Sequence, residues 1–137
     1  MRKHIKIALI YAILAMIGGV FFREFTKAFD FTGATALGKL HTHLFILGMV
    51  MFFIVGLFDD KLNLSQSKLY KPFMIVYNIG VGLMCVMLTV RGVTQVIGAK
   101  VSDGAIAGVA GISHIVVAAG MILFFIMLLK LTKKQEQ

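Results

Sequence analysis

Four long apolar runs divide the chain, at about 5–22, 37–58, 73–97 and 106–129, and the stretches between them hold the turn-formers and most of the charge. A helix rises about 1.5 Å per residue, so crossing a hydrocarbon layer about 30 Å thick takes roughly 20 residues. Each run is about that long. Lipid offers no partner for backbone N–H and C=O groups, so each run is expected to be a helix that satisfies its own backbone. The pattern therefore predicts one all-α transmembrane domain of four spans, with Pro72 in the first turn of the third, where its missing N–H is harmless.

Composition agrees with this reading and excludes others. The chain has 137 residues, 59% hydrophobic and 15% charged, too apolar for a soluble domain of its size. A net charge of +8 suggests nucleic acid at first sight. The basic residues, however, cluster at span ends, where they set orientation, so no nucleic-acid partner is expected. With the N-terminus inside, Arg2, Lys3, Lys6, Lys61, Lys68, Lys71, Lys130, Lys133 and Lys134 lie on the inner side. Arg23, Lys27, Lys39, Arg91 and Lys100 lie outside. Nine against five predicts both termini on the cytoplasmic face of an inner membrane. The first run is too long for a signal-peptide core and lacks a small-residue cleavage site before a polar start, so it reads as a retained helix. The lone Cys85 reads as a small core residue and the nine methionines as packing, with Met84 and Met87, on one helix, placed to line a cavity. Small pairs (Gly104 with Gly108, Ala107 with Gly111, Gly80 with Gly82, Gly18 with Gly19) mark places where helices or copies of the chain would approach closely.

Three ionisable residues stand where lipid disfavours them: His41 and His43 on the second span and His114 on the fourth. Counting inward from the outer face, His41 lies about 9 Å along its helix, His43 about 12 Å and His114 about 12 Å. They are expected to form one layer in the outer half of the bilayer. Arg23, Glu24, Arg91, Thr94 and Gln95 form a polar rim above it. Neutral imidazoles bind iron and arginines pair with propionates, so a histidine layer under an arginine rim suits haem. Residues i and i+2 point about 200° apart, so His41 and His43 cannot hold one iron from one helix. Either His43 and His114 clamp a haem within one chain, or His41 and His43 of neighbouring chains do so in a cyclic oligomer. Against this, a single membrane histidine more often makes a hydrogen bond between helices. His4 reads as part of the basic orientation signal, and Tyr11, Tyr77 and Asn78 as helix packing.

The segment His41-Thr42-His43-Leu44-Phe45-Ile46-Leu47-Gly48 resembles the H-x-H helix of the haem-copper oxidase core subunit. Phe21-Phe22-Arg23-Glu24-Phe25, His41 to Phe45 and Gly111-Ile112-Ser113-His114 together resemble a family of small four-helix bacterial membrane proteins of unassigned function. The oxidase resemblance implies two histidines serving haems on opposite sides of one helix, with arginines on the propionates. It also implies a homotrimer that rebuilds a twelve-helix ring. The oxidase copper site needs further histidines and a neighbouring tyrosine that this sequence does not supply, and bis-histidine iron has no open position. Oxygen reduction is therefore not expected.

The resulting expectation is a b-type haem protein acting in electron transfer, haem handling or redox sensing. His41 and His43 would be axial ligands, His114 an alternative ligand or the residue that orients one, and Arg23 and Arg91 the propionate partners. The redox partner is open. A histidine-lined proton or ion path, or an assembly partner of a larger complex, stands beside it. No span holds a nucleophile–base pair or a carboxylate pair, so an enzyme is not expected. The orientation is directly measurable on a Cys85→Ser background. A membrane-impermeant maleimide applied to intact cells is expected to label Lys100→Cys, and to reach Lys68→Cys only after permeabilisation.

Overall fold

A computed structural model describes residues 1–135, and in it four helices account for nearly the whole chain. The side chain of Lys134, counted above for orientation, lies outside the described residues. Helix α1 is Arg2–Ala28, α2 is Leu37–Leu62, α3 is Tyr70–Ile97 and α4 is Asp103–Gln135. Each is long and apolar enough to cross a membrane. The expected four spans are therefore present, with ends that differ. Helix α1 runs past Arg23 to Ala28, because Phe21, Phe25 and the following Phe29 stack along one face with centroids 5.1 and 4.8 Å apart. Helix α3 begins at Tyr70, which places Pro72 in the first turn. The stops follow backbone rules: α2 ends on Asn63 and α3 on Gly98, both in the left-handed region.

The helices form an open arc. Helix α1 packs on α2, α2 on α3, and α3 along its length on α4. Helices α1 and α4 share no packed interface among the described residues. The main core lies toward the end carrying the termini, where Phe52, Phe73, Tyr77, Val81, Phe124 and Met127 meet. A smaller cluster of Ala15, Leu40 and Leu44 joins α1 to α2 nearer the far end.

Small residues set this arrangement. A Cβ on Gly80 would strike the backbone of Val117, and one on Gly120 would strike Tyr77, so α3 and α4 touch backbone to backbone. Gly92 lies against Leu37, and Gly48 lies under the Tyr11 ring. Not every small residue serves this end. Gly82, Gly108 and Gly111 face open space and Gly104 meets only Ser102, so within one chain the close approach holds for Gly80 and Gly18 and not for Gly104 and Gly108.

Helix α2 departs from α geometry at Leu44–Val50, which is π-helical. Such a widened turn is uncommon and commonly sits at functional positions. The Leu47 carbonyl in this stretch accepts the Tyr77 hydroxyl at 2.9 Å, tying α2 to α3. Inserting side chains at the tight glycines should separate α3 from α4. Gly80→Leu and Gly120→Leu are each expected to destabilise the protein by about 2 kcal/mol or more, read as a lower midpoint in detergent-titration unfolding. Gly108→Leu should leave the midpoint unchanged.

Candidate functional site

The contacts between antiparallel helices set the height of each histidine. Gly18 meets Leu40 and Gly19 meets His41, which places His41 level with Gly19 of α1. Leu37 meets Gly92, so His43, six residues further along, is level with Val86 of α3. Gly80 meets Val117, so His114 is level with Leu83. The heights of His43 and His114 therefore differ by about 4.5 Å, less than one turn.

Their surroundings separate the three. His41 is half-buried against Gly19, and its Nδ1 is buried without a hydrogen-bond partner. His43 is partly exposed beside a shallow hollow lined by Thr42, Ile46 and Leu47, and its Nδ1 lies 2.7 Å from the Lys39 carbonyl. His114 is exposed, with Nδ1 2.8 Å from the Ala110 carbonyl. A carbonyl only accepts, so in both bonds Nδ1 carries the hydrogen, and a neutral ring then presents a bare Nε2 lone pair. Backbone-pinned Nδ1 with free Nε2 is the arrangement that orients metal-binding histidines.

The rim stands higher. Phe22 packs against Gly38 and Leu37 against Gly92, so Arg23 and Arg91 lie at about the same level, roughly 7–9 Å beyond His43. Both arginines are exposed, and Arg23 Nε is 3.7 Å from Glu24 Oε1, a surface pair that contributes little to stability. Among the described residues, no three His, Cys, Asp or Glu side chains converge as a metal site. A single chain thus presents separate imidazoles rather than a closed ligand cage.

His4 corrects the reading above. It is 1% exposed, and its Nε2 lies 2.7 Å from the Tyr70 hydroxyl, with the two rings edge to face. Its Nδ1 is 3.6 Å from Asp59, whose other carboxylate oxygen accepts the Ser65 N–H at 2.7 Å. The Lys3 ammonium sits 5.4 Å from the centroid of the Tyr70 ring. Charge counting alone missed this cluster, although helical spacing carries the signal. His4, Ala8, Ala15 and Gly18 fall on one buried stripe of α1, with His4 against Gly56. Tyr11 and Asn78 do join helices as expected, the Tyr11 hydroxyl donating to Asn78 Oδ1 at 2.8 Å.

Fold and site together define a four-helix polytopic membrane protein with a histidine-bearing half. The chain belongs to the family described as "Protein of unknown function (DUF2871)", whose model matches residues 1–131. No curated protein and no solved structure matches it, so the comparisons do not support the oxidase resemblance of the His41–Gly48 stretch.

The His4 cluster fastens α1 to α2 and α3 at the terminal end. His4→Ala leaves the Tyr70 hydroxyl without its partner and is expected to cost about 1–3 kcal/mol. Tyr70→Phe, which removes only the hydroxyl, should cost no more than that, and thermal unfolding in detergent measures both.

Proposed function

We propose that this protein is a membrane-embedded b-type haem protein of the inner membrane, with bis-histidine ligation, acting in electron transfer, haem handling or redox sensing. The observation that carries the reading is the pair His43 and His114. Both Nδ1 atoms are held by backbone carbonyls, which leaves Nε2 available, and their heights differ by less than a turn. A lone pair facing acyl chains has no partner there, and an unpaired polar atom in an apolar medium costs free energy. A ligated iron removes that cost.

The donor set fits haem better than a bare metal ion. Imidazole is present, while no carboxylate or thiolate cluster accompanies it among the described residues. With Cys85 the sole cysteine, no C-x-x-C-H attachment is available, which favours non-covalent haem b. His43 would hold the iron together with His114 or with His41 of a neighbouring copy, and Arg23 and Arg91, at about the same level above them, would take the propionates. His41, turned toward α1, would position the ring or supply the second ligand across an interface. Iron with two imidazoles and no open position supplies one-electron transfer rather than oxygen chemistry. The unclosed arc, with α1 and α4 as its edges, supports assembly of several copies, with a trimer as the favoured state. Both termini would face the cytoplasm.

An absorption spectrum of protein purified with haem supplied tests the reading. A sharp Soret band and low-spin bands on reduction are expected, together with loss or shift in His43→Ala and in His114→Ala. Colourless protein, or a spectrum indifferent to both substitutions, rejects it. Native mass measurement of the coloured species tests the trimer separately.

A further inference from the structure

A long groove runs between α1 and α3 over a floor made by Leu40 and Leu44 of α2. Its two sections have volumes of about 360 and 520 Å³. They are continuous, because Leu14, Leu44 and Cys85 line both. From Asn78 to Val90 it follows α3 for about 18 Å. The walls are almost wholly apolar, yet one section carries the hydrogen-bonded pair Tyr11 and Asn78.

That pair is incompletely used. Asn78 Nδ2 gives one hydrogen to the Met74 carbonyl at 2.7 Å, and its Oδ1 takes the Tyr11 hydroxyl. An amide nitrogen carries two hydrogens, so one donor remains, and the Tyr11 oxygen keeps an accepting lone pair. No hydrogen bond among the described residues uses either. Gly82 adds an independent observation. It lines this same section, and a Cβ built there would meet nothing within 4 Å. The wall is cut back where the groove passes the polar pair.

We propose that this groove binds a hydrophobic quinone, its ring carbonyl accepting the free Asn78 N–H and its apolar tail lying along Leu14, Cys85 and Val86. Depth selects the ligand. Asn78 lies about 10 Å inward of Lys71 along α3, within the hydrocarbon layer. The ester carbonyls of phospholipids stay in the interfacial region and do not reach that level. A quinone is apolar enough to enter the layer and carries a carbonyl that can accept there. The site is separate from the histidines and stands whether or not haem is bound.

Cys85 lies in the groove, is half-buried and is the sole cysteine, so its alkylation reports occupancy. The full chain in nanodiscs is treated with N-ethylmaleimide with and without decylubiquinone, whose fully substituted ring does not itself alkylate thiols. Labelling should slow at least five-fold with the quinone. Gly82→Leu, which fills the groove without a clash, and Asn78→Leu should each abolish the protection while unfolding midpoints confirm that both variants fold. Equal protection by decane or by palmitoyl lipid overturns the proposal in favour of an acyl chain. Protection that needs no ligand and vanishes on dilution overturns it in favour of a second copy. Protection that survives Asn78→Leu, or a Cys85 that never reacts, overturns it as well. A colourless protein that retains quinone protection refutes the haem reading alone.

Discussion

Backbone proximity between helices is the constraint on which this structure depends. Lipid tails are as apolar as leucine, so no hydrophobic force sorts one helix face from another inside a bilayer, and close packing must do so. The tight contacts are few and specific: Gly80 on Val117, Gly120 on Tyr77, Gly92 on Leu37 and Gly48 under Tyr11. Each lets two helices approach nearer than side chains on both would allow. Polar ties then fix rotation, through Tyr77 on the Leu47 carbonyl, Tyr11 on Asn78 and His4 on Tyr70. Because no such contact joins α1 to α4 among the described residues, the arc stays open, and its outer surface is left to lipid or to other copies.

Much of the fold was legible, because a span declares itself through length and apolarity alone. The ends were less so. Hydropathy stops α1 at Arg23, but the aromatic ladder from Phe21 to Phe29 carries the helix further, and charge at a helix end says only that it leaves the lipid. The π-helical turn in α2 could not be read, since shifting the period within a run apolar on all sides changes no pattern. Glycine pairs were readable as a class and not one by one. Gly80 and Gly82 look alike in sequence, yet one is pressed against α4 and the other opens onto a groove.

The site divides in the same way. That three histidines fall on helices apolar enough to span followed from counting, and their helical phase follows from i and i+2 spacing: His41 turns toward Gly19 while His43 looks elsewhere. Which imidazole nitrogen is free did not follow, because it depends on where each ring finds a carbonyl one turn back. His4 was misassigned for a related reason. It sits among basic residues in sequence, but the turn of α1 brings it onto the stripe facing Gly56, Asp59 and Tyr70.

The two ends of the bundle surround their polar side chains differently. Near the termini, His4 Nε2 bonds the Tyr70 hydroxyl while its Nδ1 faces Asp59 at 3.6 Å without a hydrogen bond, and the large aromatic core beside them is filled. Further along, His43 and His114 are satisfied on one nitrogen only, and Asn78 on one amide hydrogen only. Buried polar atoms in a bilayer are expensive to leave half-paired. The incomplete bonds face outward at the histidines and into an apolar groove at Asn78, which are two different directions. One molecule cannot satisfy both, so the haem proposed at the imidazoles and the quinone proposed in the groove would be two separate occupants.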